Sequence, residues 1–177
     1  MSILHLSHIQ KHISNLYKDK IPVDDLNPED KELEYKILTR ALSAYSIQIL
    51  CNGLPDQISN YIVDGGDDNG IDCFYYDQND KIMYISQAKW IKDGSGEPDL
   101  GDIKKFTDGI RDLVNQRYDR FNAKLQKHVT LIDQILSDPM TKYKAIIVYT
   151  GTNDLAVHAS RTISDLRSEE RRVGKEC

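Results

Sequence analysis

The sequence predicts an α/β domain in which a mixed central β-sheet, a hairpin plus one further strand, is flanked by helices on both faces. Three observations carry that expectation. The β-branched and aromatic residues of 71–76 and 82–90 are separated by turn chemistry at Gln78-Asn79-Asp80, which makes a hairpin. A short apolar run at 143–149, YKAIIVY, is bounded by turn residues and reads as a buried strand. Helical periodicity precedes the hairpin, fills the interval before the third strand, and resumes after it.

Taken in order, Ile3, Leu6, Ile9, Ile13 and Leu16 recur at helical spacing, so 3–17 is an amphipathic helix. A linker runs through Lys18, Lys20, Pro22 and Val23-Asp24-Asp25. Asn27-Pro28-Glu29-Asp30 has the form of a helix start, with asparagine as cap, proline at the first helical position and acids in the first turn. That helix is expected to reach Leu50 and to stop near Asn52-Gly53. Glu34, Ile37 or Leu38, Ala41, Tyr45 and Gln48 line one stripe of it. A short helix over 54–61 precedes Ile62-Val63 and the loop Asp64-Gly65-Gly66-Asp67-Asp68-Asn69-Gly70. An EF-hand is excluded there, because Gly65 would have to be the first ligand and no glutamate falls at the twelfth position. The loop reads either as a solvated turn or as a support beside Asp72.

After the hairpin, 91–97 holds Lys92, Gly94, Ser95 and Gly96, a loop suited to a lid, a nucleic-acid contact or a plain connection. Asp99 is placed to cap a helix whose buried stripe is Leu100, Ile103, Phe106, Ile110, Leu113 and Val114. The pattern continues to Ile135, with either a break at Asn115-Gln116 or one long helix. Its polar side carries Lys104, Lys105, Arg111, Arg117, Arg120, Lys124 and Lys127. Asp108, Asp112 and Asp119 interleave with them, which favours a solvated mixed-charge face over a phosphate-binding one. Asp138-Pro139 ends that region, and a last helix is expected from Asp154.

The bulk properties narrow the function. The chain has 177 residues, 40% hydrophobic and 29% charged, with net charge −5, which argues against a broadly basic nucleic-acid coat but leaves room for a local basic groove. No apolar run approaches the ~20 residues that span a bilayer, and the N-terminus lacks a signal peptide's layout, so the expectation is a cytoplasmic protein with no membrane partner. Cys51, Cys73 and Cys177 have neither metal-ligand spacing nor an even count for disulfides, which fits reduced thiols. The five histidines form no ligand cluster, and no P-loop, dinucleotide fingerprint or HExxH sequence occurs.

The chemistry concentrates in the hairpin. If Asp77 closes the first strand and pairs with Ile82 across a four-residue loop, Asp72 falls opposite Gln87. Alternation then puts Asp72, Phe74 and Tyr76 on one face with Met83, Ile85, Gln87 and Lys89. A carboxylate, an amide oxygen and an ammonium would meet at one end, a combination suited to a hard divalent cation and a phosphate. The alternatives are a turn-end aspartate, a satisfied core amide, and a simple Asp72 to Lys89 ion pair without metal. Trp90, on the other face, reads as core.

An aspartate followed across a hairpin by Gln-x-Lys resembles the PD-(D/E)xK nuclease core in its glutamine variant. The fuller wording, DGGDDNGID, YISQAKW, DLGDIKKF and VYTGT, is similar to the N-terminal nuclease-like region of bacterial abortive-infection phage-resistance (AIPR) proteins, over about Glu34 to Leu166. The resemblance implies a restriction-endonuclease-like fold and a metal-dependent endonuclease acting on nucleic acid, DNA first among candidates. It implies Asp72, Gln87 and Glu34 as ligands of Mg2+, with Mn2+ as a substitute, and Lys89 as the residue steadying the attacking water. Glu34 has its own plain reading, an exposed partner of Lys31. The competing function is a nuclease-like module that no longer cuts and instead binds or senses nucleic acid or a phage component. Residues 1–166 are expected to form the nuclease-like domain, truncated at its C-terminal end, so that the missing C-terminal region of the same chain is a partner and oligomers are open. Residues 167–177, RSEERRVGKEC, resemble the translation of a short-read sequencing adapter and are set apart from the fold.

Overall fold

The computed structural model describes residues 3–173, with side chains from Leu4 to Leu166; Ile3's side chain and those of the adapter-like stretch lie outside the described residues. The elements are α1 (Ile3–Leu16), α2 (Leu33–Gln48), α3 (Pro55–Ser59), β1 (Cys73–Asp77), β2 (Ile82–Lys89), α4 (Leu100–Val114), α5 (Ala123–Gln126), α6 (Val129–Ser137), β3 (Lys142–Tyr149) and α7 (Val157–Val173), with one 3-10 turn at Tyr118–Arg120 before α5.

The sheet is three-stranded in the order β1-β2-β3. β1 pairs antiparallel with β2 in the expected register, from Cys73 opposite Ser86 to Asp77 opposite Ile82. β3 runs parallel to β2, from Lys142 beside Ile82 to Tyr149 beside Lys89, so the sheet is mixed. The parallel pair needs a crossover, which α4 to α6 provide.

Strand alternation sends side chains to two cores. Cys73, Tyr84, Ala88 and Trp90 pack with Leu6, Ile13, Leu38, Ala41, Ala44, Ile47 and Ile58 from α1 to α3. Phe74, Met83 and Ile85 pack with Ile103, Phe106, Ile110, Leu113, Ile132, Ile135 and Leu166 from α4, α6 and α7. Helices therefore cover both faces. The contact of α2 with the sheet is close because small residues meet there: Ser43 Oγ and Ser86 Oγ share a hydrogen bond of 2.7 Å.

Three expectations need correction. The second helix begins at Leu33, not at Asn27. Asn27 Oδ1 instead accepts from the Glu29 amide and Asp30 Oδ1 from the Glu32 amide at 2.8 Å, two local turns ahead of the helix, whose N-cap, Glu32, makes no side-chain capping bond. β3 is not a buried strand: as a sheet edge it runs from exposed residues at its start to half-buried ones at its end. Asp99 precedes α4, but its side chain makes no capping bond. The open question at Asn115-Gln116 resolves as a break. Gln116 takes a left-handed conformation, and the Gln116 and Arg117 amides return to the Leu113 and Asp112 carbonyls, a Schellman ending.

Candidate metal centre

β2 and the chain entering β1 place the key side chains. The Asp72 amide donates to the Ser86 carbonyl, continuing the ladder by one residue, so Asp72 lies beside Gln87 at the open end of the hairpin. Asp72, Gln87 and Lys89 all line one cleft of about 410 Å3, together with Asp64, Asp68, Asp102 and Lys105. The expected convergence of these three residues is therefore present.

Glu34 does not join them. It is exposed and accepts a hydrogen bond from Gln10 Nε2 at 2.9 Å, on the side of α2 that faces α1. The residues of and just before α2 that reach the cleft are Glu32, Tyr35, Lys36 and Thr39, which share a helix face from which Glu34 is turned away. Its partner is not Lys31 either.

The 64–70 loop contributes more than support. Ligand oxygens of Asp64, Asp68 and Asp72 lie within 4.8 Å of one another, a group able to hold a metal ion. The loop is clamped onto α4 by backbone contact: a Cβ on Gly109 would sit 2.0 Å from the Asn69 carbonyl, and one on Gly70 would sit 2.6 Å from the Phe106 nitrogen. Glycine at 109, unfavourable in a helix, is what lets the loop approach. Asp67 and Asn69 adopt left-handed backbones, which short polar side chains tolerate.

The three carboxylates are not equivalent. Asp68 is committed to the loop: its Oδ1 accepts from the Gly70 amide at 2.8 Å and Lys105 Nζ at 2.7 Å, and its Oδ2 from the Gly65 amide at 3.2 Å. Asp64 Oδ2 accepts from Arg40 Nε at 2.6 Å, and Asp72 Oδ2 from the Ala88 amide at 2.7 Å. Asp64 Oδ1 and Asp72 Oδ1 stay outside these bonds. Burial, followed by the nearby Asp64 charge, pushes the Asp72 carboxyl well above the ordinary carboxylate range, the Ala88 amide only partly opposing this. For Lys105, burial works against the charge, but its hydrogen bond to Asp68 and the charges of Asp68 and Asp72 prevail and raise it above the ordinary lysine value.

Gln87 supplies the most pointed observation. Its Nε2 donates to the Asp102 carbonyl at 3.2 Å, which fixes the amide's orientation because only the NH2 group can donate. Its Oε1 is buried with no hydrogen-bond partner. An orphaned buried acceptor carries a cost of about 1–3 kcal/mol unless something meets it. A cation held with Asp72 would do so.

Lys89 is not paired with Asp72. Its Nζ donates to Asp102 Oδ2 at 2.7 Å while the side chain stays half-exposed on the cleft. Lys92 pairs with Glu32 and lies 4.0 Å from the centre of the Tyr35 ring. The glycine-rich loop after β2 is anchored: the Ile91 amide donates to Thr150 Oγ1 at 2.7 Å, and the Asn153 amide to the Gly96 carbonyl at 3.1 Å. It is a tethered wall of the cleft. The basic residues of the α4 to α5 region are largely spent on carboxylates, Arg117 and Arg120 on Asp112 and Lys124 on Asp25, as the mixed-charge reading expected.

Sequence reasoning missed Arg40, Asp64, Asp68 and Asp102 as parts of this centre. The spacing of Asp64, Asp68 and Asp72 at every fourth residue around glycines was the available signal. Nothing local marked Arg40 or Asp102. Compared with known proteins, the chain matches no family model, no curated protein and no solved structure.

Proposed function

We propose that this chain is a Mg2+-dependent endonuclease module of restriction-endonuclease-like type, with the sequence wording around the hairpin favouring the AIPR group. The observation that carries the reading is the buried, unpartnered Oε1 of Gln87, a residue that lines the same cleft as Asp72 and its neighbours Asp64 and Asp68. Asp72, Gln87 and Asp64 would hold the ion, Asp64 taking the place that Glu34 was expected to fill. A bound Mg2+ or Mn2+ supplies polarisation of the scissile phosphate and stabilisation of the departing oxygen.

The remaining roles fall to the chain itself. Lys89, held by Asp102, presents an ammonium at the cleft edge, where it orients the attacking water or steadies phosphoryl charge. Asp102 fixes where that ammonium points. Lys36, Lys92 and Lys105 line the same cleft, where they could meet phosphate once released from Asp30, Glu32 and Asp68.

The test is cleavage of plasmid and single-stranded DNA with Mg2+ or Mn2+, wild type beside Asp72→Ala and Lys89→Ala. Metal-dependent cutting that disappears in both folded variants is the expected result. A folded wild type that binds nucleic acid but never cuts would transfer the assignment to the non-cutting sensing module. The pairing of Lys89, Lys92 and Lys105 with Asp102, Glu32 and Asp68 is the feature that favours that second reading, since each lysine must leave an acid to meet phosphate.

A further inference from the structure

The end of the β1–β2 hairpin far from the metal centre carries a second cavity, of about 580 Å3, and none of its lining residues lines the cleft. β1 supplies Tyr75, Tyr76 and Asp77, the hairpin turn supplies Gln78 and Asn79, and the segment through α3 closes the other side. Local structure fixes these walls. Asp77 Oδ1 accepts the Asn79 and Asp80 amides, which sets the turn, and Gln57 Oε1 accepts the Leu54 amide at 3.0 Å, which sets the start of α3. Gly53 lies so near the Tyr75 ring that an added Cβ would stand 3.1 Å from its Cε1.

The cavity is marked by hydrogen-bonding groups that the protein leaves unengaged. Four tyrosines elsewhere give their hydroxyl a protein acceptor: Tyr17 uses Gln48, Tyr84 the Leu50 carbonyl, Tyr118 Asp133, and Tyr149 the Asn153 carbonyl. Tyr61, Tyr75 and Tyr76 are half-buried in the cavity wall, and their hydroxyls have no partner among the described residues. The same holds for the side-chain amides of Asn52, Asn60, Gln78 and Asn79, while Gln57 engages only its oxygen. Charge is nearly absent. Among the described lining residues there is no lysine, arginine or histidine, and the carboxylate of Asp77 serves the turn.

That composition selects a ligand class. A phosphate or carboxylate would lose water without meeting a cation, so an anion is disfavoured. Tyrosine hydroxyls and carboxamides each offer a donor and an acceptor, which matches a ligand hydroxyl, itself donor and acceptor at once. Tyrosine rings add apolar faces suited to the C–H faces of a sugar. The rings of Tyr61 and Tyr75 meet edge to face, with centres 6.0 Å apart and planes at 71°, so they form a corner and not a parallel slot for a planar base. Small-molecule sites occupy roughly 300–1,000 Å3, and a mono- or disaccharide fits that range.

We propose that this cavity binds a neutral carbohydrate through the hydroxyls of Tyr61, Tyr75 and Tyr76 and the carboxamides around them. The proposal does not depend on the metal-dependent reading above.

The test is titration of the whole isotope-labelled chain with maltose, cellobiose, lactose and diacetylchitobiose, beside adenosine and inorganic phosphate, read by backbone amide chemical shifts. Saturable shifts at 52–61 and 75–79 with at least one saccharide, and none there with adenosine or phosphate, are expected. Tyr75→Phe and Tyr76→Phe each remove a hydroxyl but keep the ring, and each is expected to weaken that saccharide about fivefold, the worth of one hydrogen bond. Tyr149→Phe, whose hydroxyl serves the protein, is expected to leave the affinity unchanged. No saturable shift with any saccharide, shifts that map elsewhere, or an affinity unaltered in both cavity variants overturns the proposal. Adenosine or phosphate shifting the cavity amides while the saccharides do not also overturns it, and reassigns the cavity to a base or an anion.

Discussion

Asp72 and Asp77 stand at the two ends of the same strand segment and are buried to the same degree, 6% exposed each. Their surroundings differ. Asp77 Oδ1 accepts the Asn79 and Asp80 amides at 3.0 and 3.3 Å, donors supplied by the turn it precedes. Asp72 receives one amide, that of Ala88, and faces two more carboxylates. One aspartate closes a hairpin with local donors; the other is left with an open oxygen among like charges. The same residue type at the same depth becomes structure or site according to whether its neighbours can satisfy it.

The sharpest way to break that comparison is to remove each carboxylate. Asp72→Ala is expected to abolish Mn2+ binding and cleavage by more than about 100-fold, beyond the effect of losing an outer-shell partner, with little loss of fold. Asp77→Ala is expected to leave both intact and to destabilise the protein by about 1–3 kcal/mol through the orphaned turn amides. Calorimetric metal titration and urea unfolding of the two variants separate the outcomes, and a metal defect in Asp77→Ala would erase the distinction.

A smaller effect sharpens it from across the ladder. Gln87→Glu adds a negative charge where the amide oxygen now waits. Metal affinity should rise about tenfold, since ligand charge tunes such sites, while the metal-free protein loses stability because a further carboxylate joins Asp64 and Asp72. Thermal unfolding with and without Mn2+ reads both. A variant with unchanged affinity would mean that Gln87 Oε1 does not face the ion.

Acid and base should act oppositely on two buried aspartates. The folded Asp72 carboxyl titrates above its unfolded value, so between those two pH values the folded state binds more protons. Stability of the metal-free protein therefore falls as pH rises through that window, by up to about 1.4 kcal/mol per pH unit. Asp72→Asn should remove that slope. For Asp112, burial pushes the carboxyl up, but hydrogen bonds from Asn69 and Arg120 and the charges of Arg120 and Arg117 prevail and hold it below the ordinary range. Its contribution is present above the unfolded value and is lost as pH falls through the folded one. Denaturant midpoints across pH, compared with Asp72→Asn and Asp112→Asn, assign each slope.

Much of the fold was legible because its signals are local. The hairpin register followed from one turn and a period of two, and the buried stripe of α4 from a period of 3.6. The exposure of β3 was not legible, since an apolar run looks the same at a sheet's centre and at its edge. At the site, Asp72, Gln87 and Lys89 share one short ladder and could be placed by counting. Arg40 and Asp64 are 24 residues apart, and Lys89 and Asp102 are 13 apart. Their pairings depend on how α2 and α4 settle on the sheet, which no short-range pattern encodes.

Glu34 is the instructive failure, and the smallest predicted effect. Its stripe on α2 was inferred from apolar spacing, but α2 is buried over much of its circumference, against the sheet and against α1, so one stripe could not identify the side that meets the cleft. The residues that reach the cleft, at 32, 35, 36 and 39, lie on the face that excludes 34. Glu34→Ala should therefore leave metal affinity and cleavage at wild-type levels and change stability by less than about 0.5 kcal/mol, as expected for an exposed hydrogen bond to Gln10. Side-by-side titration with Asp64→Ala decides the matter. If Glu34→Ala loses metal while Asp64→Ala keeps it, the ligand comes from the helix and not from the glycine loop, and the contrast between a satisfied and an unsatisfied aspartate has to be drawn around a different centre.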